Sequence, residues 1–196
     1  MSSLNNSLPA TIAISLGANL PSPIGPPHKT LNAVRPKLEE EIHNWIYQDI
    51  ERNAQKTKKY EDLRFRWSPL FGTEPLGGPP EQPDYINAVL VVDGRQLTEL
   101  PPSKAAAFAL LRRFLRLENF FGRDRTISQE KWGARSLDID FLAWGGLHLQ
   151  ENELTLPHPR LIERSFVIVP LAAALTSDEK PPRIMPKDQN WLESFL

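Results

Sequence analysis

The chain has 196 residues, and its 23 Lys and Arg against 24 Asp and Glu leave a formal net charge of −1. That balance gives no reason to expect a polyanion-binding protein, so no nucleic acid partner is expected. The absence of cysteine excludes a disulfide framework, a thiolate zinc or iron–sulfur site and a thiol nucleophile.

Residues 11–16, TIAISL, read as a strand that Gly17-Ala18-Asn19 turns out of. Leu31, Val34, Leu38, Ile42, Trp45, Ile46 and Ile50 recur at helical spacing and predict a helix over 31–50, which Pro36 opens or kinks. The highly charged stretch 51–62 reads as a solvated helix end or surface excursion. Residues 63–73 read as a strand with an irregularity near Pro69, 74–83 as a proline–glycine loop, and 85–92 as a strand.

The clearest helix covers 103–121. Ser103 suits the N-cap, Leu110, Phe114, Leu117 and Phe121 share a stripe, and Gly122 suits the stop. A polar loop follows over 123–135, then a strand over 136–143. A Gly145-Gly146 turn leads into a short strand pair ending near Leu156. After a turn at 157–159, residues 160–175 read as a short helix, an apolar segment and a second helical piece, and the tail from 176 is polar and proline-rich.

The 19 prolines are nearly twice the roughly 5% of average usage. They cluster between the ordered segments and are absent from 103–156. Two successive β-α-β halves suggest an α+β ferredoxin-like sandwich, a mainly antiparallel sheet with helices packed on one face. No repeat or linker divides the chain, so 1–196 is read as one domain with 1–9 and 176–196 peripheral. No apolar run reaches the roughly 18 residues of a membrane span. The first ten residues lack the basic and apolar regions of a secretory signal, and a cytoplasmic monomer is expected.

Leu137-Asp138-Ile139-Asp140-Phe141 is the sharpest motif. On a strand, Asp138 and Asp140 share one face, about 7 Å apart at ~3.3 Å per residue. Such a pair either binds a hard divalent ion such as Mg²⁺ together with phosphate oxygens or is the solvated side of an amphipathic strand. Arg123, Arg125, Lys131 and Arg135 lie just before it. They suit phosphate oxygens, or they simply balance the aspartates. Tyr85 and Asn87 share a strand face and could hold a flat heterocycle, or belong to an ordinary edge strand. His158, between two prolines, is a phosphate donor or a structural residue. No G-x-x-x-x-G-K-[ST] occurs, so there is no P-loop.

Five ordered segments, ISLGANL (14–20), FGTEPLGGPPEQPDYINAV (71–89), GRDR (122–125), WGARSLDIDFLAWG (132–145) and LTLPHPRLIERSFVIVPL (154–171), closely resemble the 6-hydroxymethyl-7,8-dihydropterin pyrophosphokinase family of folate biosynthesis. The resemblance implies an ATP-dependent diphosphotransferase. It would pass the β,γ-diphosphate of ATP to the pterin hydroxymethyl oxygen and release AMP, with two Mg²⁺ ions held by Asp138 and Asp140. It implies catalytic roles for Arg125, Arg135, Asp138 and Asp140. A pterin site would be formed by Thr73, Pro75, Leu76, Tyr85, Asn87 and Phe166. A nucleotide site would be formed by Glu118, Arg123, Arg125, Trp132, Arg135, Ile139, His158 and Arg164. Trp132 would sit on a mobile loop that closes over the site.

The segment between Leu20 and Ser68 is longer than in compact members, and Leu115 stands where some members carry a polar nucleotide contact. Two other classes remain open from the residues alone. A palm-like two-metal nucleotidyl transferase would release diphosphate, and a non-catalytic ferredoxin-like binding module would need no metal.

Overall fold

A computed structural model of the protein describes residues 10–53, 63–125 and 132–176. In chain order it has β1 (Ile12–Ala18), α1 (Pro27–Asn53), β2 (Leu63–Trp67), β3 (Phe71–Thr73), β4 (Tyr85–Gly94), α2 (Arg95–Glu99), α3 (Lys104–Phe120), β5 (Asp138–Trp144), β6 (Leu149–Gln150), β7 (Thr155–Leu156) and α4 (Ser165–Leu175). The main sheet runs β2-β4-β1-β5, with β3 also beside β4, and every pairing is antiparallel. This β-α-β-β-α-β order with its two central strands is the ferredoxin-like α+β sandwich. β6 and β7 form a separate two-stranded ribbon.

The alternation of β1 decides what lies on each side of the sheet. Ile12, Ile14 and Leu16 join a core with Leu31, Val34, Leu38, Ile42, Trp45 and Ile46 of α1 and with Leu110, Phe114 and Leu117 of α3. The other face of β1 carries only Ala13, Ser15 and Gly17. There α4 packs Val167 and Ala174 on Ala13, Val89, Val91 and Leu142. The expectation of helices on one face is therefore corrected: α1 and α3 cover one face, and α4 covers part of the opposite one. The helix is too short to cover the whole face, and the end of the sheet bearing Ser15 and Gly17 is left to a cavity.

Several local readings are corrected as well. Pro36 lies inside α1, not at its start, and removes one backbone donor there. The irregularity expected near Pro69 is there and is a full break, so that residues 63–73 form two strands. At the break the Ser68 N–H donates to Val89 O and the Ser68 Oγ accepts from the Val89 N–H, both at 2.9 Å. β1 continues through Gly17 and Ala18, and β5 begins at Asp138 instead of Ser136. The register of β5 against β1 shifts between Ala13 and Ile14. Leu142 is the extra residue, so Phe141 and Trp144 both face the α1–α3 core. Residues 160–175 form one helix, α4, preceded by turns, and α2 was not anticipated. In α3 the Ser103 side chain accepts from the Ala106 N–H, and Gly122 follows with φ +84°. Residues 1–9, 54–62, 126–131 and 177–196 lie outside the described residues, and so do the readings made for them. Among the described residues no helix is long and apolar enough to cross a membrane.

Candidate active site

Sheet register assembles the site. Asn87 of β4 pairs with Gly17 of β1, and Gly17 pairs with Asp138 of β5. One strand step further along, Ser15 pairs with Asp140. These side chains emerge on the α4 face beyond the N-terminal end of α4. They line a cavity of about 360 Å³ with Thr73, Leu76, Tyr85, Trp132, Arg135, Arg164 and Phe166. Ten residues singled out in the sequence thus reach one cavity. Pro75, Glu118, Arg123, Arg125, Ile139 and His158 are not in its wall.

On the β4 side the Asn87 amide donates to Thr73 Oγ1 at 2.9 Å, which fixes its orientation. The Tyr85 hydroxyl donates to Gly133 O at 3.2 Å. Burial pushes the Tyr85 phenol above its ordinary value, against the opposing pull of Arg135. From α4, Arg164 lies 5.4 Å over the Phe166 ring. Its guanidinium is 4.0 Å from Asp140 Oδ2. The same side chain therefore faces both the Phe166 ring and Asp140.

On the β5 side the charges are arranged in two layers. Asp138 accepts from both Arg123 and Arg135. Burial pushes its carboxyl up, but Arg135 and Arg123 together hold it below the ordinary carboxylate value. Beneath it Glu118, only 1% exposed, accepts from Arg123 at 2.8 Å and from Arg125 at 2.6 and 2.9 Å. Glu118 also accepts from the Ile139 N–H at 2.8 Å, which pins the backbone between the two aspartates. Burial, and then the charge of Asp138, push Glu118 up, while its two arginines and the Ile139 donor oppose them.

Asp140 is different. It faces Arg164 at 4.0 Å, a looser contact than those of Asp138, and burial followed by repulsion from Asp138 push its carboxyl up to about 7. A carboxyl perturbed by burial and by a like charge, and lining a cavity, is a candidate functional group.

His158 stands behind the wall. Its backbone N–H donates to Leu142 O at 2.7 Å, and its ring Nδ1 accepts from the Arg160 backbone N–H at 3.2 Å. Burial, and then Arg164, push its imidazole below the ordinary value. Nδ1 is thereby an acceptor, and Nε2 carries the proton.

Sequence reasoning missed Asn19, Ser15, Gly17, Glu74, Gly77, Arg160 and Glu163. All but Asn19 line the cavity. Buried Asn19 donates to Pro83 O at 3.1 Å and accepts from the Arg135 N–H at 2.7 Å, joining the proline-rich loop to the segment before β5. The signal for β1 was present: small residues at 13, 15 and 17 alternate with large ones, which leaves room on that side of the strand.

Among the described residues no group of three or more His, Asp or Glu is placed to hold a metal ion. The cavity offers two carboxylates on one strand, an all-oxygen set short of a closed cage. That set suits Mg²⁺, which takes one or two carboxylates and completes its shell with phosphate and water.

Residues 13–176 match the family model described as 7,8-dihydro-6-hydroxymethylpterin-pyrophosphokinase (HPPK). The chain is similar to the 2-amino-4-hydroxy-6-hydroxymethyldihydropteridine pyrophosphokinase of Haemophilus influenzae, 34% identical over 82% of this chain and 79% of the relative. The enzyme of the same name from Synechocystis is 43% identical over 48% of this chain and 42% of the relative. That from Bacillus subtilis is 32% identical over 62% and 65%. The sheet register, the paired carboxylates and these matches agree, and the chain belongs to the 7,8-dihydro-6-hydroxymethylpterin-pyrophosphokinase family, a family of diphosphotransferases.

Proposed function

We propose that the protein transfers the β,γ-diphosphate of ATP to the hydroxymethyl oxygen of 6-hydroxymethyl-7,8-dihydropterin and releases AMP, as a step of folate biosynthesis. The observation that supports this most is a cavity of about 360 Å³ in which an aromatic–amide set on β4 and an arginine–carboxylate set at β5 stand on either side of β1. We take the whole chain as one domain that works as a cytoplasmic monomer on these two small molecules.

In this reading Tyr85 and Phe166 stack on the pterin, and Asn87 hydrogen-bonds its edge. Backbone groups around Thr73, Pro75 and Leu76 close that end. The triphosphate lies over β5. Arg135 and Arg164 meet it directly from the cavity wall, and Trp132 covers the site from the rim. Arg123 and Arg125 supply positive charge from behind Asp138, held by Glu118, and Ile139 carries the backbone between the two aspartates. His158 presents its Nε2–H as a neutral donor. The N-terminal end of α4, from which Arg164 and Phe166 reach the cavity, adds partial positive charge.

The hydroxymethyl oxygen forms a bond to the β-phosphorus, the bond from that phosphorus to the α,β-bridging oxygen breaks, and AMP leaves with the bridging oxygen. The hydroxyl proton is released. Asp138 and Asp140 would hold two Mg²⁺ ions, which would neutralise phosphate charge and hold the attacking and leaving oxygens in line. The protein's own contribution is orientation and fixed charge in a site from which water is partly excluded.

Purified protein given Mg²⁺, ATP and the hydroxymethyldihydropterin should release AMP, and only when the pterin is present. Release of ADP, or AMP formation indifferent to the pterin, sinks the reading. Diphosphate release with transfer of the nucleotide moiety identifies the palm-like alternative instead.

A further inference from the structure

Three separate segments meet at the rim of the cavity: the Gly77–Gly78 turn, Trp132, and the turn bearing Arg160 and Glu163. Trp132 holds φ +63°, a left-handed conformation that a bulky side chain rarely adopts. The fit around it is close. A Cβ on Gly78 would lie 2.5 Å from the Trp132 carbonyl oxygen, and one on Gly77 would lie 3.6 Å from the indole. Both glycines also have positive φ, so no other residue replaces them without strain. From the far side, the Arg160 guanidinium lies 4.7 Å from the centre of the Trp132 ring. Its carboxylate neighbour Glu163 is 4.0 Å away and 65% exposed, a weak competitor.

We propose that Arg160 is a positioning residue for the diphosphoryl transfer, acting through Trp132: it holds the indole against the Gly77–Gly78 turn and so fixes the rim beside the pterin end of the cavity. The inference rests on the function proposed above for the substrate it names. A guanidinium suits the task because its planar face stacks on an aromatic ring and its charge is attracted by the π-face. Lysine supplies the charge without the plane. The backbone N–H of Arg160 is committed to His158 Nδ1, so the main chain stays in place when the side chain is removed.

The test is a double-mutant cycle. Arg160→Ala is expected to raise the KM for the pterin about two- to fivefold, the range for a partly exposed cation–π contact. It should leave the KM for ATP within twofold. In a Trp132→Ala background the same substitution should do nothing further, and Arg160→Lys should recover at least half of the loss. Equal effects in both backgrounds, or a rise confined to the KM for ATP, overturn the proposal, because Arg160 then acts on the fold or on phosphate directly. No effect of Arg160→Ala overturns it too.

A second measurement needs no catalysis. Acrylamide quenching of the Trp132 share of fluorescence, taken as the difference from Trp132→Phe, should increase in Arg160→Ala without substrates. Unchanged quenching overturns the proposal. Wild-type protein that makes no pterin-dependent AMP defeats the functional reading alone, and the quenching experiment still decides the role of Arg160.

Discussion

Asn87 and Asp138 lie on one rung of the sheet, two strands apart, with Gly17 between them. At roughly 4.8 Å per strand their backbones are about 10 Å apart, and the missing side chain of Gly17 leaves the floor between them open. A Cβ at Gly17 would come within 3.2 Å of Asn87 Oδ1 and 3.9 Å of Tyr85 Cδ1. The relationship explains why a glycine stands inside a strand, where it weakens the strand itself.

Gly17→Ala should therefore displace the Asn87 amide by a few tenths of an ångström and loosen its bond to Thr73. We expect the KM for the pterin to rise about fivefold, a loss of about 1 kcal/mol, with the KM for ATP nearly unchanged. Gly17→Val should abolish pterin binding while the thermal melt stays cooperative. Steady-state kinetics with each substrate varied in turn separates the two effects. An equal rise in both KM values would show that Gly17 does not divide the cavity.

Glu118 is expected to act mainly on stability and on arginine placement. It is buried, and its carboxylate receives two arginines and a backbone N–H. Glu118→Ala leaves those donors without an acceptor, and breaking a buried pair costs about 3–5 kcal/mol. For a domain of this size, that lowers Tm by about 6–20 °C. Glu118→Gln keeps an acceptor for Ile139 and should lose less. Calorimetry of the two variants ranks them, and Gln as damaging as Ala would remove the argument from the Ile139 bond.

The strands, the two long helices and the Asp138–Asp140 and Tyr85–Asn87 pairs were legible in the sequence because each depends on local pattern, whereas Thr73, Leu76, Trp132, Arg164 and Phe166 came from the family resemblance. Leu110, Phe114 and Leu117 mark a helix face, and Asp138 and Asp140 mark a strand face, whatever the rest of the chain does. Tertiary arrangement was less legible. Nothing local says that α4 packs on the face opposite α1, since Val167 and Ala174 are apolar on either side. The bulge at Leu142 was hidden because it is a property of the β1–β5 pairing, not of β5. Arg160 and Asn19 escaped notice because their partners, Trp132 and Pro83, are distant in sequence. The two-layer order of Glu118, its arginines and Asp138 was equally invisible, although every member was named.

Asp140→Asn should separate function from stability. The ordinary Asp value is 3.8, and burial with the charge of Asp138 raises it to about 7 in the folded protein. A raised value means that the folded state binds this proton more tightly than the unfolded chain does. The resulting stability is fully present below pH 4 and is lost as pH rises to about 7. Without metal at pH 8, the Asn variant should be the more stable, by about 1 kcal/mol once solvent screening of a partly exposed group is allowed for. Its advantage should vanish near pH 4. Turnover should fall by at least about a thousandfold, the scale of losing a central charge-stabilising group. Melting curves from pH 4 to 8 with wild type and variant in parallel test this, and a pH-independent difference would mean that Asp140 is not held uncharged by its surroundings.

His158 provides the opposite pH dependence. Its ordinary value is 6.5, and burial together with Arg164 and Arg160 lowers it in the folded protein. The unfolded chain then takes up this proton first as the medium is acidified. The stability from the neutral imidazole is complete above pH 6.5 and is lost as pH falls through the lowered value. The geometry agrees, since Nδ1 accepts the Arg160 N–H and protonation would turn that acceptor into a donor facing a donor. We expect the ring signals of His158 in NMR to titrate with a midpoint below 6.5 and to show the Nε2–H tautomer at pH 7. His158→Gln should flatten the slope of stability against pH just below 6.5. A midpoint above 6.5 would mean that Asp138, the one carboxylate opposing that shift, outweighs burial and the two arginines, and that His158 meets phosphate as a cation.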